Sequence, residues 1–104
     1  MANKKVCLLL NVKAHRELME EFHEVWGNES LPMWAKHGAR HLGSYISYVG
    51  DPINEIHRIF EFDSLAEFEQ WEEYLKDSEE GKALKGRLSK YIISVERKLW
   101  HSIY

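Results

Sequence analysis

The spacing of apolar residues changes period along this chain, and these changes restrict its fold more than any other feature. Apolar and polar residues alternate through residues 54–65, so that Phe60 and Phe62 share one side of an extended segment. Such alternation predicts a β-strand with one buried face. Residues 14–27 and the stretch that begins at Ser64 show helical spacing instead.

The predicted elements follow the order strand, helix, strand, strand, helix, strand. This order is typical of the ferredoxin-like α+β fold (βαββαβ), in which a four-stranded antiparallel sheet carries both helices on one face. The chain has 104 residues, about the length of one small domain, and we expect a single domain over 1–104. Strands are predicted at 4–12, 41–50, 54–63 and 91–100, and helical segments at 14–27, 30–38 (with Ser30 as N-cap) and from Ser64 to about Gly81, with a further turn near Leu88.

The first predicted strand is apolar on both faces, which bears on assembly. Leu8 and Leu10 point to one side, whereas Cys7 and Leu9 point to the other. The helices of a ferredoxin-like fold cover one face, and an uncovered apolar face tends to associate. We therefore predict a homodimer in which two open sheet faces meet and close a dimeric α/β barrel.

Composition argues against several classes of protein. The formal net charge is −3, so the chain lacks the basic footprint of a nucleic-acid-binding protein. Its apolar run near residue 8 is far too short for a membrane span or a signal peptide. Cys7 is the single cysteine and cannot form an intrachain disulfide. We expect a soluble cytoplasmic protein with no membrane or nucleic-acid partner, and no motif indicates a cofactor.

Two histidines have a spacing that metal sites use. His37 and His41 lie four residues apart, but Gly38 is expected to end the helix between them. No cysteine or pair of carboxylates completes a ligand set nearby. The sequence therefore predicts no metal site.

Several stretches together resemble one known family. The segments LPMWAKHG, LGSYISYVG, PINEIHRIFEFDSL and YIISVERKL are similar to NIPSNAP-like proteins of the dimeric α/β-barrel superfamily. The resemblance implies a ligand-holding cleft between the helices and the sheet. The family usually has a histidine where this chain has Arg58, and His57 cannot replace it because alternation places His57 on the other face.

A second group of the superfamily, the haem-degrading and antibiotic-biosynthesis monooxygenases, is similar in its second helix. The segment AEFEQWEEYLKD resembles that helix and puts Trp71 at the position of a functional tryptophan. The group also uses an asparagine on the first strand and a histidine further along the second helix. Here Cys7 falls nearest the asparagine position, and no histidine lies between 58 and 100. Haem degradation is accordingly disfavoured.

Arg58 stands in the middle of the predicted buried face of its strand. A guanidinium keeps its charge and needs carboxylate, phosphate or carbonyl partners when buried. Two interpretations stay open. Arg58 anchors an anionic or carbonyl ligand, or it forms a structural ion pair, for which Glu96 of the last strand or a residue of the partner subunit is a candidate.

The aromatic residues suggest where such a ligand would lie. Trp34, Trp71 and Tyr45 are expected to converge on the cleft, and a well-filled core is the alternative. We therefore predict a homodimer that binds a small apolar or aromatic molecule, with Glu96 also a candidate ligand contact. One alternative is a cofactor-independent monooxygenase, cyclase or isomerase, in which His57 or Tyr45 carries the proton while Arg58 stabilises an enolate-type charge. Another is a structural dimer without a ligand.

Overall fold

A computed structural model describes residues 4–104 and contains a four-stranded antiparallel sheet with the strand order β2-β3-β1-β4. The element order confirms the predicted α+β, ferredoxin-like arrangement. The strands are β1 (Val6–Ala14), β2 (Arg40–Tyr45), β3 (Glu55–Phe62) and β4 (Ile92–His101). The α-helices are α1 (Met19–Val25), α2 (Leu31–Lys36), α3 (Leu65–Asp77) and α4 (Glu79–Leu88).

The sheet has two unlike faces, and the register between strands defines them. Leu10 of β1 lies opposite Arg58 on one side and opposite Arg97 on the other, so these three share a face. Burial alternates strictly along β1 and β3. We call the face that carries Arg58 the covered face, because the helices pack on it. The other, which carries His57 and Asn11, is the open face.

The covered face is filled by aromatic packing where α3 crosses it. Ser64 caps α3 by accepting a hydrogen bond of 3.2 Å from the backbone N–H of Glu67, which confirms the predicted capping position. The helix then directs Phe68 and Trp71 toward Phe62 of β3. All three side chains are buried, as the helical spacing predicted.

Two predicted boundaries in the first helical region and the second strand were wrong. Ser30 does not cap a new helix, since its backbone is helical and a π-helical turn (Trp26–Ser30) joins α1 to α2. Strand β2 ends at Tyr45, so residues 46–54 form a longer connection than the predicted turn. Gly38 does end α2, and its φ of 96° is a conformation that glycine adopts without strain.

The predicted end of the second helical region also needs correction. Gly81 lies inside α4 and does not terminate a helix, because Ser78 caps α4 by accepting a 2.9 Å hydrogen bond from the Gly81 N–H. A Cβ atom at Gly81 would collide with the backbone of Leu75. Glycine is therefore used here for the close approach of α4 to the end of α3.

The length and composition of the helices decide whether any of them could cross a membrane. Among residues 4–104, none of the helices has the length and apolar character needed to cross a bilayer. The cytoplasmic location is not tested by the fold and stays a prediction.

Candidate functional site

A cleft of about 730 Å³ lies between the covered face and the helices α3 and α4. This volume falls in the range of roughly 300–1,000 Å³ that small-molecule sites occupy. Apolar side chains form most of its wall, so that water in the cleft has few hydrogen-bond partners there. They include Leu10, Val12, Phe22, Trp26, Trp34, Trp71, Leu75, Leu88, Ile92 and Val95.

Arg58 is the buried charge of this cleft. Its side chain belongs to a residue only 3% exposed, and burial lowers the pKa of Arg58 to about 10, so it is still charged at neutral pH. One nitrogen, Nη1, donates a hydrogen bond of 2.9 Å to Oγ of Ser44. The other two nitrogens, Nε and Nη2, are buried and find no hydrogen-bond partner among the described residues. Burying donors of a charged group without acceptors costs free energy. A ligand that accepted hydrogen bonds from Nε and Nη2 would reduce that cost.

Aromatic rings hold the guanidinium from one side. Its central carbon lies 3.6 Å from the ring centroid of Trp26 and 5.8 Å from that of Phe22. A cation over an indole face is attracted by the ring quadrupole, and the contact strengthens where water is excluded. Trp26 is in turn braced edge-on by Trp34, with ring centroids 5.6 Å apart. The guanidinium plane is therefore fixed by packing as well as by Ser44.

A short polar chain runs behind Arg58. The hydroxyl of Ser44 lies 2.7 Å from Nε2 of His41, so it can accept from Arg58 and donate to a neutral imidazole. Burial lowers the pKa of His41, and the positive charge of Arg58 lowers it further. His41 is thus suited to stay neutral and accept the Ser44 proton. The chain positions Arg58 and occupies only Nη1 of its three guanidinium nitrogens.

A local irregularity in β2 makes this chain possible. His41 lies opposite Phe60 and Ser44 lies opposite Arg58, with a register shift between His41 and Gly43. Without the shift, residues three apart would point to opposite faces. The bulge therefore brings both side chains to the covered face.

The mouth of the cleft is basic. Lys76, Lys82 and Lys85 line it and are exposed, and Arg97 forms an ion pair of 2.6 Å with Glu72. Counting Arg58, the lining holds five basic residues and one acidic residue, although the chain as a whole has a net charge of −3. The local potential should therefore favour anions.

Arg58 does not pair with Glu96, one of the partners proposed for it. Glu96 lies opposite Asn11, on the open face, whereas Arg58 lies opposite Leu10 on the covered face. The two side chains are separated by the sheet itself. Glu96 therefore does not line the cleft, although a smaller pocket of about 260 Å³ on the open side of the sheet is lined by Arg58, His57 and Glu96.

The two candidate proton carriers also lie on the open face. Tyr45 is directly opposite His57, and its ring lies over Gly43. The sequence predicted that Tyr45, Trp34 and Trp71 would converge. Tyr45 instead lies on the other face of the sheet from the two tryptophans. Those two tryptophans do meet, edge to face, with ring centroids 4.9 Å apart. His57 and Arg58 lie on different faces of the sheet, as the alternation predicted.

His37 and His41, whose spacing resembles that of metal ligands, have different contacts. The ring of His37 stacks on Tyr74 with centroids 3.6 Å apart, whereas His41 is directed at Ser44. A different group lies at the end of the open face, where ligand atoms of Asp51, Glu55 and His57 come within 4.8 Å of one another. Asp51 is exposed in the 46–54 connection, and such groups are common without a bound ion.

Sequence reasoning missed four residues of the site. Phe22 and Trp26 are four apart on one helical face, a signal of burial that did not reveal their contact with Arg58. His41 and Ser44 carried no signal, because the bulge that aligns them leaves no mark in the residue pattern.

Comparison with known families shows which group of proteins this chain belongs to. The NIPSNAP family model matches residues 13–101, which is most of the chain. The chain belongs to the NIPSNAP family. This confirms the resemblance read from the sequence. A comparison with curated proteins finds no match.

Solved structures of other NIPSNAP proteins share the fold. A NIPSNAP family protein from Agrobacterium tumefaciens superposes with a TM-score of 0.83 at 17% identity, covering 98% of this chain and 89% of that one. An uncharacterized NIPSNAP domain protein from Burkholderia xenovorans gives 0.79 at 17% identity, with 91% of each chain covered. A putative antibiotic biosynthesis monooxygenase from Nitrosomonas europaea gives 0.75 at 8% identity, covering 100% of this chain and 95% of that one. At these identities the likeness concerns the fold alone.

Proposed function

We propose that this NIPSNAP protein binds a small apolar or aromatic molecule in the cleft, with Arg58 as its polar anchor. One observation carries the proposal. Arg58 is 3% exposed, yet two of its three guanidinium nitrogens have no hydrogen-bond partner among residues 4–104. A ligand in the adjoining cleft would supply the missing acceptors and relieve that cost.

The shape of the covered face supports binding over a structural role. A structural dimer with a filled core would leave no ligand-sized space beside Arg58. Instead the cleft of about 730 Å³ adjoins this arginine and the ring of Trp34. The cleft is open to solvent and lined mostly by apolar side chains, which is typical of small-molecule sites.

A substitution at Gly86 of α4 tests whether the cleft is the binding site. Gly86 lines the cleft, and a Cβ atom there would meet nothing within 4 Å. Gly86→Phe should fill part of the cleft and abolish binding of 2-(2-naphthyl)ethanol, measured by calorimetry. Gly86→Ala is the matched control, because it makes the same backbone change with a small side chain. Equal affinity in the two variants would place the binding elsewhere and refute the proposal.

The enzymatic alternative receives less support from the geometry. The proton carriers proposed for it, His57 and Tyr45, lie across the sheet from Arg58. The one carboxylate in the cleft lining, Glu72, is paired with Arg97. The cleft therefore offers charge stabilisation, and the predicted acid-base groups do not reach it. Loss of turnover in a His57→Ala variant of the dimer, with stability retained, would revive this alternative.

We also propose that the open face is covered by a second copy of the chain. Leu9 and Ile59 lie opposite each other at its centre, and Trp100 at its edge is 55% exposed. Oδ1 of Asn11 is buried without a hydrogen-bond partner in the described part of the chain, and Nε2 of His57 lies 3.4 Å from a carboxylate oxygen of Asp51 without forming a hydrogen bond. A sheet face with apolar centre and unmatched polar atoms is suited to a self-complementary interface.

The oligomeric state tests this part of the proposal. Ile59→Asp should convert a dimer to a monomer in light scattering after size exclusion, because it buries a charge at the centre of the interface. Val49→Asp is the control, since Val49 is 90% exposed in the 46–54 connection. A wild-type protein that is monomeric at micromolar concentration would refute the homodimer.

A further inference from the structure

We infer that the ligand of the cleft is an apolar carboxylate: one carboxylate group that Arg58 binds, attached to a hydrophobic or aromatic body. The inference rests on the proposed binding function and narrows it from apolar molecules in general to anions of one kind. It depends on which atoms of Arg58 are free, on how the guanidinium is held, and on the charges around the cleft.

The free atoms of Arg58 form one edge of the guanidinium. Nη1 is used by Ser44, whereas Nε and Nη2 are buried without a partner in the described chain. The N–H bonds of Nε and Nη2 lie parallel on the same edge of this planar group. Two parallel donors on one edge match the two oxygens of a carboxylate, which they bind in a bidentate manner. A ketone or hydroxyl oxygen would satisfy only one of them well.

The guanidinium is held in place before any ligand arrives. The ring of Trp26 covers one side of its plane at 3.6 Å, and Ser44 fixes the far nitrogen at 2.9 Å. The Ser44 hydroxyl is itself fixed by His41 at 2.7 Å. An anchor that does not have to be ordered on binding loses less conformational entropy. Such an arrangement favours a ligand whose charged group has its oxygens in a fixed geometry.

The charge around the cleft favours an anion as well. The lining carries five basic residues against one acidic residue, in a chain whose net charge is −3. The acidic residue, Glu72, is neutralised by Arg97 at 2.6 Å. Exposed lysines at the mouth, such as Lys82 and Lys85, raise the local concentration of anions without fixing their position.

The rest of the lining limits the remainder of the ligand. Away from Arg58 most of the wall is formed by apolar side chains such as Leu10, Val12 and Leu88, and the few polar groups there include the unpaired indole N–H of Trp71. A sugar or a second charged group would be desolvated there without compensation. A single anionic end with an apolar remainder fits both parts of the cleft.

A matched pair of probes tests the inference. The carboxylate 2-naphthylacetate and the alcohol 2-(2-naphthyl)ethanol have the same ring and similar length, but only the first is charged at pH 7.5. Calorimetry on the full chain should give at least about tenfold tighter binding of the carboxylate, the difference that one charge-assisted hydrogen-bond pair supplies. In Arg58→Gln this preference should disappear. Arg40→Gln, at an exposed arginine that pairs with Glu61 outside the cleft, should keep it.

The outcomes separate this inference from the proposed function. Equal affinity for the two probes in the wild-type chain, with loss of both in Gly86→Phe, would overturn the carboxylate inference and leave the binding function intact. No binding of either probe would count against both. Should Arg58→Gln fail to fold, Arg58→Lys replaces it, because lysine keeps the charge but lacks the fork. The preference should then fall severalfold, and an unchanged preference in Arg58→Lys would overturn the bidentate contact.

Discussion

Two parts of the covered face along strand β3 differ in what lies above them: the aromatic end at Phe62, and a part around Arg58 near the middle of the strand, which we call the arginine end. At one end Phe62 packs against Phe68 and Trp71, with ring centroids 5.3 and 5.2 Å away. At the arginine end Arg58 lies under Trp26 and opens to the cleft. Phe62 is 0% exposed and Arg58 is 3% exposed, so burial alone does not distinguish them.

The two ends differ in whether they hold a buried charge that lacks hydrogen-bond partners. At the aromatic end the rings pack against one another and carry no charge, although Nε1 of Trp71 is a buried donor without a hydrogen-bond partner in the described part of the chain. The arginine end is incomplete, since a charged group has donors without acceptors and adjoins a space of about 730 Å³. Incomplete packing beside an unmatched charge is what a binding site requires and what a structural core avoids.

The largest expected effect lies at the aromatic end. Phe62→Ala should lower the free energy of unfolding by about 3–5 kcal/mol, because a fully buried ring leaves a cavity that the surroundings fill only in part. Urea denaturation measures this change. Phe62→Leu, which keeps most of the volume, should cost much less. A loss below about 1 kcal/mol for Phe62→Ala would mean that this end is not the packed core described here.

Helix α4 offers a matched pair of glycines, of which Gly86 lines the cleft. Gly81→Ala should cost about 1–3 kcal/mol, because its Cβ would collide with the backbone of Leu75. Gly86→Ala should instead stabilise by about 0.4–1 kcal/mol, since nothing lies within 4 Å of its added Cβ and alanine favours the helix. Thermal unfolding of both variants measures the contrast. Similar effects of the two would contradict the close approach of α4 to α3.

The polar chain behind Arg58 should matter less for stability. Ser44→Ala removes the partner of Nη1 and leaves one more buried donor unmatched, which should cost about 1–3 kcal/mol. Ser64→Ala at the α3 cap should cost about 1 kcal/mol and serves as a comparison that leaves the cleft unaltered. In denaturation experiments the Ser44 effect should shrink when Arg58 is already replaced by methionine, because only the contact of Ser44 with His41 is then left to lose. Persistence of the full effect would show that Ser44 acts independently of Arg58.

The smallest expected effect is on the pH dependence of stability. The pKa of His41 is lowered by burial and then by Arg58, so the unfolded chain binds the proton more readily. Stability should therefore be complete above the ordinary histidine pKa of about 6.5 and fall as the pH drops below it. His23, whose pKa is lowered by burial and Arg58 in the same direction, contributes too. His41→Asn should flatten the slope below pH 6.5, and an unchanged slope would remove His41 from this account.

The sequence predicted the elements and the faces well, and the site less completely. Alternation in β3 placed Arg58 on the buried face, and the spacing of α3 placed Trp71 beside it, because local periodicity determines which side a residue takes. The bulge that brings Ser44 to Arg58 depends on strand pairing, which leaves no local pattern. The pairing of Arg58 with Glu96 failed for a related reason, since the face of Glu96 depends on its register with β1.

A stability measurement can distinguish a ligand anchor from a structural role for Arg58. Burial lowers the pKa of Arg58 to about 10, so at pH 7 the folded chain carries a charge that is more costly there than in the unfolded chain. This cost is fully present below pH 10 and is relieved only above it. An unpaired buried charge of this kind can be replaced by an apolar side chain of similar length without loss of stability.

The most direct test is urea denaturation of Arg58→Met at pH 7 without a ligand. If Arg58 is an anchor that waits for a ligand, the variant should unfold at the same or a higher free energy, by up to about 1–3 kcal/mol, and should lose the preference for 2-naphthylacetate. If Arg58 is a structural strut, the variant should instead be destabilised by about 3–5 kcal/mol. That second result would contradict the central claim that the arginine end of the covered face is a binding site.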